Sequence, residues 1–333
     1  MREIDGFDFA NVARVAPVAP ADLPSIVPYI DHRYRRVSTL DAPVVGLSLF
    51  DLVNAGTGAL HVHSRAELAS RFLVPENATI VLSGVDKDPK VEAWWAMVNR
   101  AAILDGLRDL GIALITTPNY SLLTDVPRTD NLHAMKRILM VWREMTAAGL
   151  SAALHVNART ETDYTRWAEL IRSRSEIQVL AFEFATGGGR SGRIETHVAE
   201  LCHLADVVGR PLDLIIRGGG RKLREFERHF RRVTLLETDA FTFTHRRRMA
   251  YVDRSGHLKK KKVSTAEGAP LDILLAQNIA AVREAYEKMQ EQPASAPAGR
   301  PVRRLNADGD TKTRQMSFVR DLELTGKART IAP

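Results

Sequence analysis

A chain of 333 residues is long enough to bury a full core and leaves room for one large α/β domain or two smaller ones. Charged residues make up 26% and apolar ones 45%; no apolar run reaches bilayer length and MREIDGFDF lacks a signal-peptide core, so a cytoplasmic protein with no membrane partner is expected. The single cysteine, Cys202, excludes an intramolecular disulfide and a thiolate zinc site, and the net charge of +7 points toward a polyanion.

Residues 1–43 are rich in proline without sustained periodicity, which predicts an N-terminal arm containing the basic element IDHRYRR. Val44 to Leu49 reads as a first strand, and Leu60 to Val62 as a candidate second that could form a hairpin with it. Ser64 and Glu67 make a capping-box pattern at the start of HSRAELASRFL, which predicts a helix there. From this point strands and helices alternate. Thr79 to Leu82 is a strand, and the loop VDKDP leads into a long helix from Pro89 to Leu110 closed by Gly111. Ile112 to Thr116 is the next strand, followed by a helix from Asp130 to Ala148 with an apolar stripe of Leu132, Met135, Ile138, Leu139 and Trp142. Ala152 to Val156 is a strand tipped by Asn157 and Arg159, with TETDYTRWAELI behind it. Val179 to Phe184 is a strand tipped by Thr186 and Gly187 to Gly189, with IETHVAELCHLADVV behind it.

Leu212 to Ile216 is a short branched run that suits a strand covered on both faces, and Gly218, Gly219 and Gly220 end it in a phosphate-sized turn. A helix from Arg221 to Phe230 is expected to follow, packing Leu223, Phe226 and Phe230 inward. Val233 to Leu236 then delivers Glu237 and Asp239 to the carboxyl end of a strand, where α/β folds place their chemistry. After a basic stretch comes the helix LDILLAQNIAAVREAYEKMQ, and EQPASAPAGRP opens a linker and flexible polar tail, 291–333.

Seven or eight βα units in one chain predict an α/β protein with a (β/α)8 TIM-like barrel over 44–290, an N-terminal arm and a polar C-terminal tail. Neither GTGGGRSG nor RGGGRK has the spacing of a dinucleotide fingerprint. In a barrel the strand-end residues Ser83, Asp86, Asp88, Asn119, His155, Asn157, Glu183, Thr186, Arg217, Glu237 and Asp239 gather at one mouth. Each also has a structural reading: Asp86 and Asp88 can cap the helix entered at Pro89, and His155 can be a satisfied core residue. Glu183, between Phe182 and Phe184, is costly to bury unless paired, and Arg217 on a neighbouring strand is the expected partner. Arg246, Arg247 and Arg248 with Lys259, Lys260, Lys261 and Lys262 form a basic cluster directly after the site strand, which suits DNA or RNA; a solvated surface is the alternative.

The succession AFEFATGGG, PLDLIIRGGGRKLREFERHF and VTLLETDAFTFTHRRRMAYVDRSGHLKK resembles the closing part of the tRNA-guanine transglycosylase superfamily. The resemblance covers about residues 150–262 and is closest to the DNA-modifying members that insert 7-deazaguanine bases, in the order Asp239, Phe241, Arg246, Arg247. It implies base exchange on guanine in DNA or tRNA, with Glu237 or Asp239 as the carboxylate that attacks C1′ and with Asp86 and Asp88 the nearest candidates for the family's second catalytic aspartate. The base edge would be read by Asn157, Glu183 and Arg217, with Thr186 and the Gly218 to Gly220 turn beside them, and phosphates would lie against Arg246 to Arg248, Lys259 and Lys260. Asp239 is favoured over Glu237 because its shorter side chain is held more rigidly.

The family's zinc site needs several cysteines and this chain has one, so no metal or cofactor is expected. Partners are expected to be DNA or tRNA and a 7-deazaguanine-type base, with a homo-oligomer or a place in a larger complex left open. Two other readings stand beside this one. The first is a barrel hydrolase or lyase for a small phosphorylated substrate held by the Gly218 to Gly220 turn. The second is an inactive barrel kept as a nucleic-acid-binding subunit.

Overall fold

The computed structural model describes residues 2–30, 35–186 and 192–291. The expected Gly187 to Gly189 turn, part of the IDHRYRR element and the linker and tail beyond 291 lie outside the described residues.

Eight strands make one parallel sheet: β1 Ile26–Pro28, β2 Val44–Ser48, β3 Thr79–Ser83, β4 Leu114–Thr116, β5 Ala152–His155, β6 Val179–Glu183, β7 Asp213–Arg217 and β8 Arg232–Glu237. From β2 to β8 each strand pairs with the next in chain order, and β8 pairs with β1. The sheet curls into a nearly closed barrel. Its seam is a single parallel bridge between Tyr29 and Gly46, crossed by Ile30 N–H donating to Gly46 O at 2.9 Å, while on the other side Tyr29 N–H donates to Glu237 O of β8 at 2.8 Å. A side chain at position 46 would put its Cβ 3.0 Å from the Tyr29 ring, so glycine lets the seam come together.

The strands form from runs such as VLAFE and DLIIR that are buried on both faces, as a parallel sheet under helices requires. Alternation then sorts their side chains. Val27, Val81, Leu114, Ala153, Ala181, Ile215 and Leu236 fill the barrel interior, whereas Leu82, Ile115, Leu154, Phe182, Ile216 and Leu235 face the helical layer. That layer includes the helices Arg128–Ala147, Glu161–Ser173 and Ile194–Val208, which bury Trp142, Trp167 and Leu201 against the sheet. After β8 come the helix Asp239–His245, an antiparallel ribbon of β9 Arg248–Val252 and β10 Leu258–Lys262, and the helix Asp272–Glu291.

Several local expectations are corrected. The region 1–43 is not only an arm, because Ile26–Pro28 is a barrel strand. Leu60 stays outside the barrel sheet and pairs in a two-residue ladder, Val53–Asn54 against Ala59–Leu60, so the expected hairpin with 44–49 does not form. The helix expected over 89–110 is broken into Asp88–Ala96 and Arg100–Asp109. Arg100 explains the break: its Nη1 donates to the carbonyls of Trp95 at 2.6 Å and Met97 at 2.9 Å, satisfying the end of the first helix from the start of the second. The helix expected from Arg221 shrinks to a 3-10 turn, Gly220–Lys222, and one α-turn, Leu223–Phe226, although Leu223, Phe226 and Phe230 are buried as expected. Among the described residues no helix is long and apolar enough to cross a membrane.

Candidate functional site

The inward parity that places Val81, Leu114, Ala153, Ala181 and Ile215 inside the barrel also brings Ser83, Thr116, His155, Glu183 and Arg217 to its carboxyl-terminal end, with Tyr29 completing the ring from β1. Glu183 and Arg217 are register partners on β6 and β7, and Arg217 Nη1 donates to Glu183 Oε2 at 3.2 Å. The guanidinium also lies over the Tyr29 ring, 5.3 Å from its centroid. Burial pushes the Glu183 carboxyl up to about 6, with the Arg217 charge opposing the shift. His155 is fully enclosed, and burial pulls its pKa down to about 4. As a neutral ring it donates from Nδ1 to Thr117 O at 2.6 Å, which leaves the Nε2 lone pair as an acceptor.

This ring opens into a cleft of about 530 Å³ walled by Asp86, Asn119, His155, Asn157, Arg159, Phe182, Glu183 and Thr186. Asn157 is fixed by Nδ2 bonds to Asn119 Oδ1 at 3.0 Å and Tyr120 O at 2.9 Å, so the amide edge has one orientation. Asp86 and Thr186 on this wall, and Tyr29 and Arg217 beside them, also line a shallow depression with Ser48, Asp51, Lys87 and Lys90. Asp86 does not approach the other candidate carboxylates as a free partner. Its Oδ1 accepts from Lys87 N at 2.7 Å and its Oδ2 pairs with Lys90 Nζ at 2.8 Å, while Asp88 accepts from Ser121 Oγ at 2.8 Å.

Glu237 and Asp239 occupy a second pocket of about 450 Å³, with Tyr29, Arg217, Gly218 to Gly220 and Tyr286. Glu237 shares the outward parity of Val233 and Leu235, so it leaves the barrel axis and turns beneath the helix that begins at Asp239. Its Oε1 accepts from Asp239 N at 2.5 Å, and both oxygens lie within 3.3 Å of Ala240 N. Burial, and then the neighbouring Asp239 charge, push its pKa up to about 7 despite these amides. Asp239 is exposed by surface area yet stands inside the pocket walls, where loss of water raises its pKa and Lys260 and Arg221 oppose the rise. The strand ends at Glu237 and a helix follows, so the two carboxylates separate, one buried and one open.

The glycine turn is shaped by packing. Gly218 is left-handed at φ 75°, and a Cβ there would meet Ala185 N at 2.5 Å, so backbone runs against backbone. A Cβ on Gly220 would sit 2.0 Å from the Tyr286 hydroxyl. The space read in the sequence as phosphate-sized is therefore closed on that side by the chain's own tyrosine, and only one helical turn follows it.

Of the basic cluster, β10 carries Lys259, Lys260, Lys261 and Lys262 along one exposed strand. Lys260 Nζ lies 4.6 Å from the Phe243 ring centroid, on the helix that starts at Asp239, so the cluster adjoins the second pocket. Arg246 is exposed, whereas Arg247 is left-handed at φ 49° and its Nε donates to Thr265 Oγ1 at 2.5 Å. Asn278 on the last helix ties the ribbon down: its Oδ1 accepts from Ala250 N at 2.7 Å, and its Nδ2 donates to Thr244 Oγ1 and Arg248 O, each at 2.9 Å.

No family model and no curated protein matches this chain.

Sequence reasoning missed Tyr29, Tyr286, Lys87 and Lys90. Tyr29 follows the apolar pair Ile26 and Val27 in a segment read as an arm, and no local signal brings Tyr286 to the β7 and β8 ends. Cys202 is buried and burial raises its thiol to about 12, so it holds no thiolate at neutral pH.

Proposed function

We propose that this chain is a (β/α)8 barrel enzyme that exchanges a base on nucleic acid, acting on guanine in DNA or tRNA through a carboxylate. The observation that carries the reading is the position of Lys260: a strand of four consecutive lysines adjoins the pocket that holds Glu237 and Asp239, so a polyanion bound there passes over the open carboxylate of Asp239, with Glu237 buried behind it.

Asp239 is the open carboxylate and takes the role of nucleophile. Its oxygen bonds to C1′ as the bond from C1′ to the base nitrogen breaks, and the electron pair leaves with the base. Glu237, with its pKa near 7, is the group in the pocket able to hand a proton to that base at neutral pH. In the reverse half-reaction the incoming 7-deazaguanine-type base loses its proton to Glu237 and displaces Asp239. The flipped base would meet Asn157, Glu183 and Arg217 along the adjoining cleft.

The test is incubation with radiolabelled guanine and either DNA or tRNA. Incorporation into one polymer supports the reading, and none into either overturns it. The bonds from the Asp239 and Ala240 amides to Glu237, together with the Lys90 pair on Asp86, favour a second reading, in which these carboxylates are structural and the barrel only binds nucleic acid. Salt-dependent binding of polynucleotide without incorporation would select it.

A further inference from the structure

The ribbon has two faces, and only one adjoins the pocket. Ala250 is buried and pairs with Lys260, whose ammonium group reaches Phe243, so this parity faces the barrel. The opposite parity carries Met249 and Tyr251 on β9 with Lys261 and Lys259 directly across from them on β10. Tyr251 is 42% exposed, one of the few large apolar side chains left in water among the described residues. Lys261 Nζ stands 5.9 Å from its ring centroid, and Lys259, beyond a 3.8 Å pair with Asp253, is more than half exposed.

Lys259 and Lys261 share this face and repel each other, and Tyr251 beside them leaves a large part of its ring in water. A base stacked on Tyr251 takes the ring face over which Lys261 stands at long range, and the phosphates on either side give both ammonium groups an anion closer than their present partners. A duplex offers no free π-face, and opening DNA costs about 1.4 kcal/mol per base step. The loop of a folded RNA presents unstacked bases without that cost.

We propose that the outer face of the ribbon, centred on Tyr251 with Lys259 and Lys261, is a stacking platform for an unpaired base in the loop of a folded RNA. This rests on the nucleic-acid reading above and deepens it: the polymer is held by a single-stranded element outside the pocket, and the site is read from stacking and charge, independently of whether base exchange occurs.

The experiment is equilibrium binding of the full chain to three fluorescent probes: an RNA stem-loop, the same RNA annealed to its complement, and a DNA single strand of the loop sequence. Tyr251→Ala is expected to weaken stem-loop binding by about tenfold and to leave the annealed duplex unchanged, with Tyr251→Phe close to the parent protein. Replacing Lys259 and Lys261 together by Ala should flatten the salt dependence on the stem-loop by about 1.4 log units per log unit of salt, for two single-strand phosphate contacts. The proposal is overturned if the stem-loop does not bind, if Tyr251→Ala binds it as the parent does, if the annealed duplex loses as much, or if Tyr251→Phe falls with Tyr251→Ala. Tighter, Tyr251-dependent binding of the DNA strand overturns the assignment to RNA. Because Tyr251 lies outside the Glu237 and Asp239 pocket, failure of guanine incorporation with this binding pattern intact would remove the catalytic reading and leave the platform standing.

Discussion

Glu183 and Arg217 sit opposite each other in the register of β6 and β7, 3.2 Å apart, inside the end of the barrel that opens to solvent. A buried ion pair of this kind adds little net stability, because the attraction is spent on desolvating both charges. Its use is to keep a carboxylate and a guanidinium at the cleft floor. The pKa of Glu183 shows the balance, standing near 6 against an ordinary 4.5, so burial outweighs the arginine.

That shift makes a pH prediction. Between about 4.5 and about 6 the folded state binds more protons at Glu183 than the unfolded state, so stability falls as pH rises through this window and levels off above it. The shift corresponds to about 2 kcal/mol. Urea unfolding of Glu183→Gln should therefore gain about 2 kcal/mol relative to the parent protein on going from about pH 4 to about pH 8. A mutant that tracks the parent at both values would show that Glu183 ionises without cost.

Glu237 and Asp239 separate by chemistry. Asp239→Asn should abolish a covalent adduct between protein and polynucleotide on a denaturing gel, while Glu237→Gln keeps the adduct and slows turnover. In the parent protein the rate should fall as pH rises through about 7, where Glu237 loses the proton it donates, and Glu237→Gln should remove that limb. The reverse pattern of adducts would give the attack to Glu237.

Asn278 is fully buried and holds the ribbon to both the last helix and the helix that starts at Asp239. Asn278→Leu strands the Ala250 N–H and the Arg248 carbonyl, and should cost about 3 kcal/mol in chemical unfolding. Limited proteolysis should then cut between 248 and 262 first, well before the barrel. Cleavage spread evenly along the chain would mean that the ribbon is held by other contacts.

Arg246 and Arg247 are neighbours with different work. Arg246→Ala should flatten the salt dependence of polynucleotide binding by about 0.7 to 0.9 log units with unfolding unchanged, as loss of one phosphate contact requires. Arg247→Gly relieves a left-handed backbone but loses the bond to Thr265, so it should leave the salt slope nearly as it is. Equal slopes for the two variants and the parent would make this part of the cluster a solvated surface.

The sequence by itself determined the strands from β2 to β8, their alternation with helices and the residues at their ends, because apolar runs, amphipathic stripes and glycine stops are local properties of the chain. It also paired Glu183 with Arg217, since a carboxylate between two phenylalanines needs a cation on a neighbouring strand. Only the tertiary structure decided how the sheet closes. Ile26–Pro28 is three residues long and ends at a proline, too short for any period to register, and it becomes a strand only because β8 and β2 present their edges to it. Tertiary structure also decided which way Glu237 faces. Alternation says that it lies on the same side as Val233 and Leu235, but whether that side is the barrel interior or the helical layer depends on the curl of the whole sheet. The same holds for Tyr286, which reaches Gly220 across 66 residues of chain, and for Tyr251, whose exposure follows from the burial of Ala250 beside it. Each of these is a long-range convergence, and nothing in the local spacing of residues encodes it.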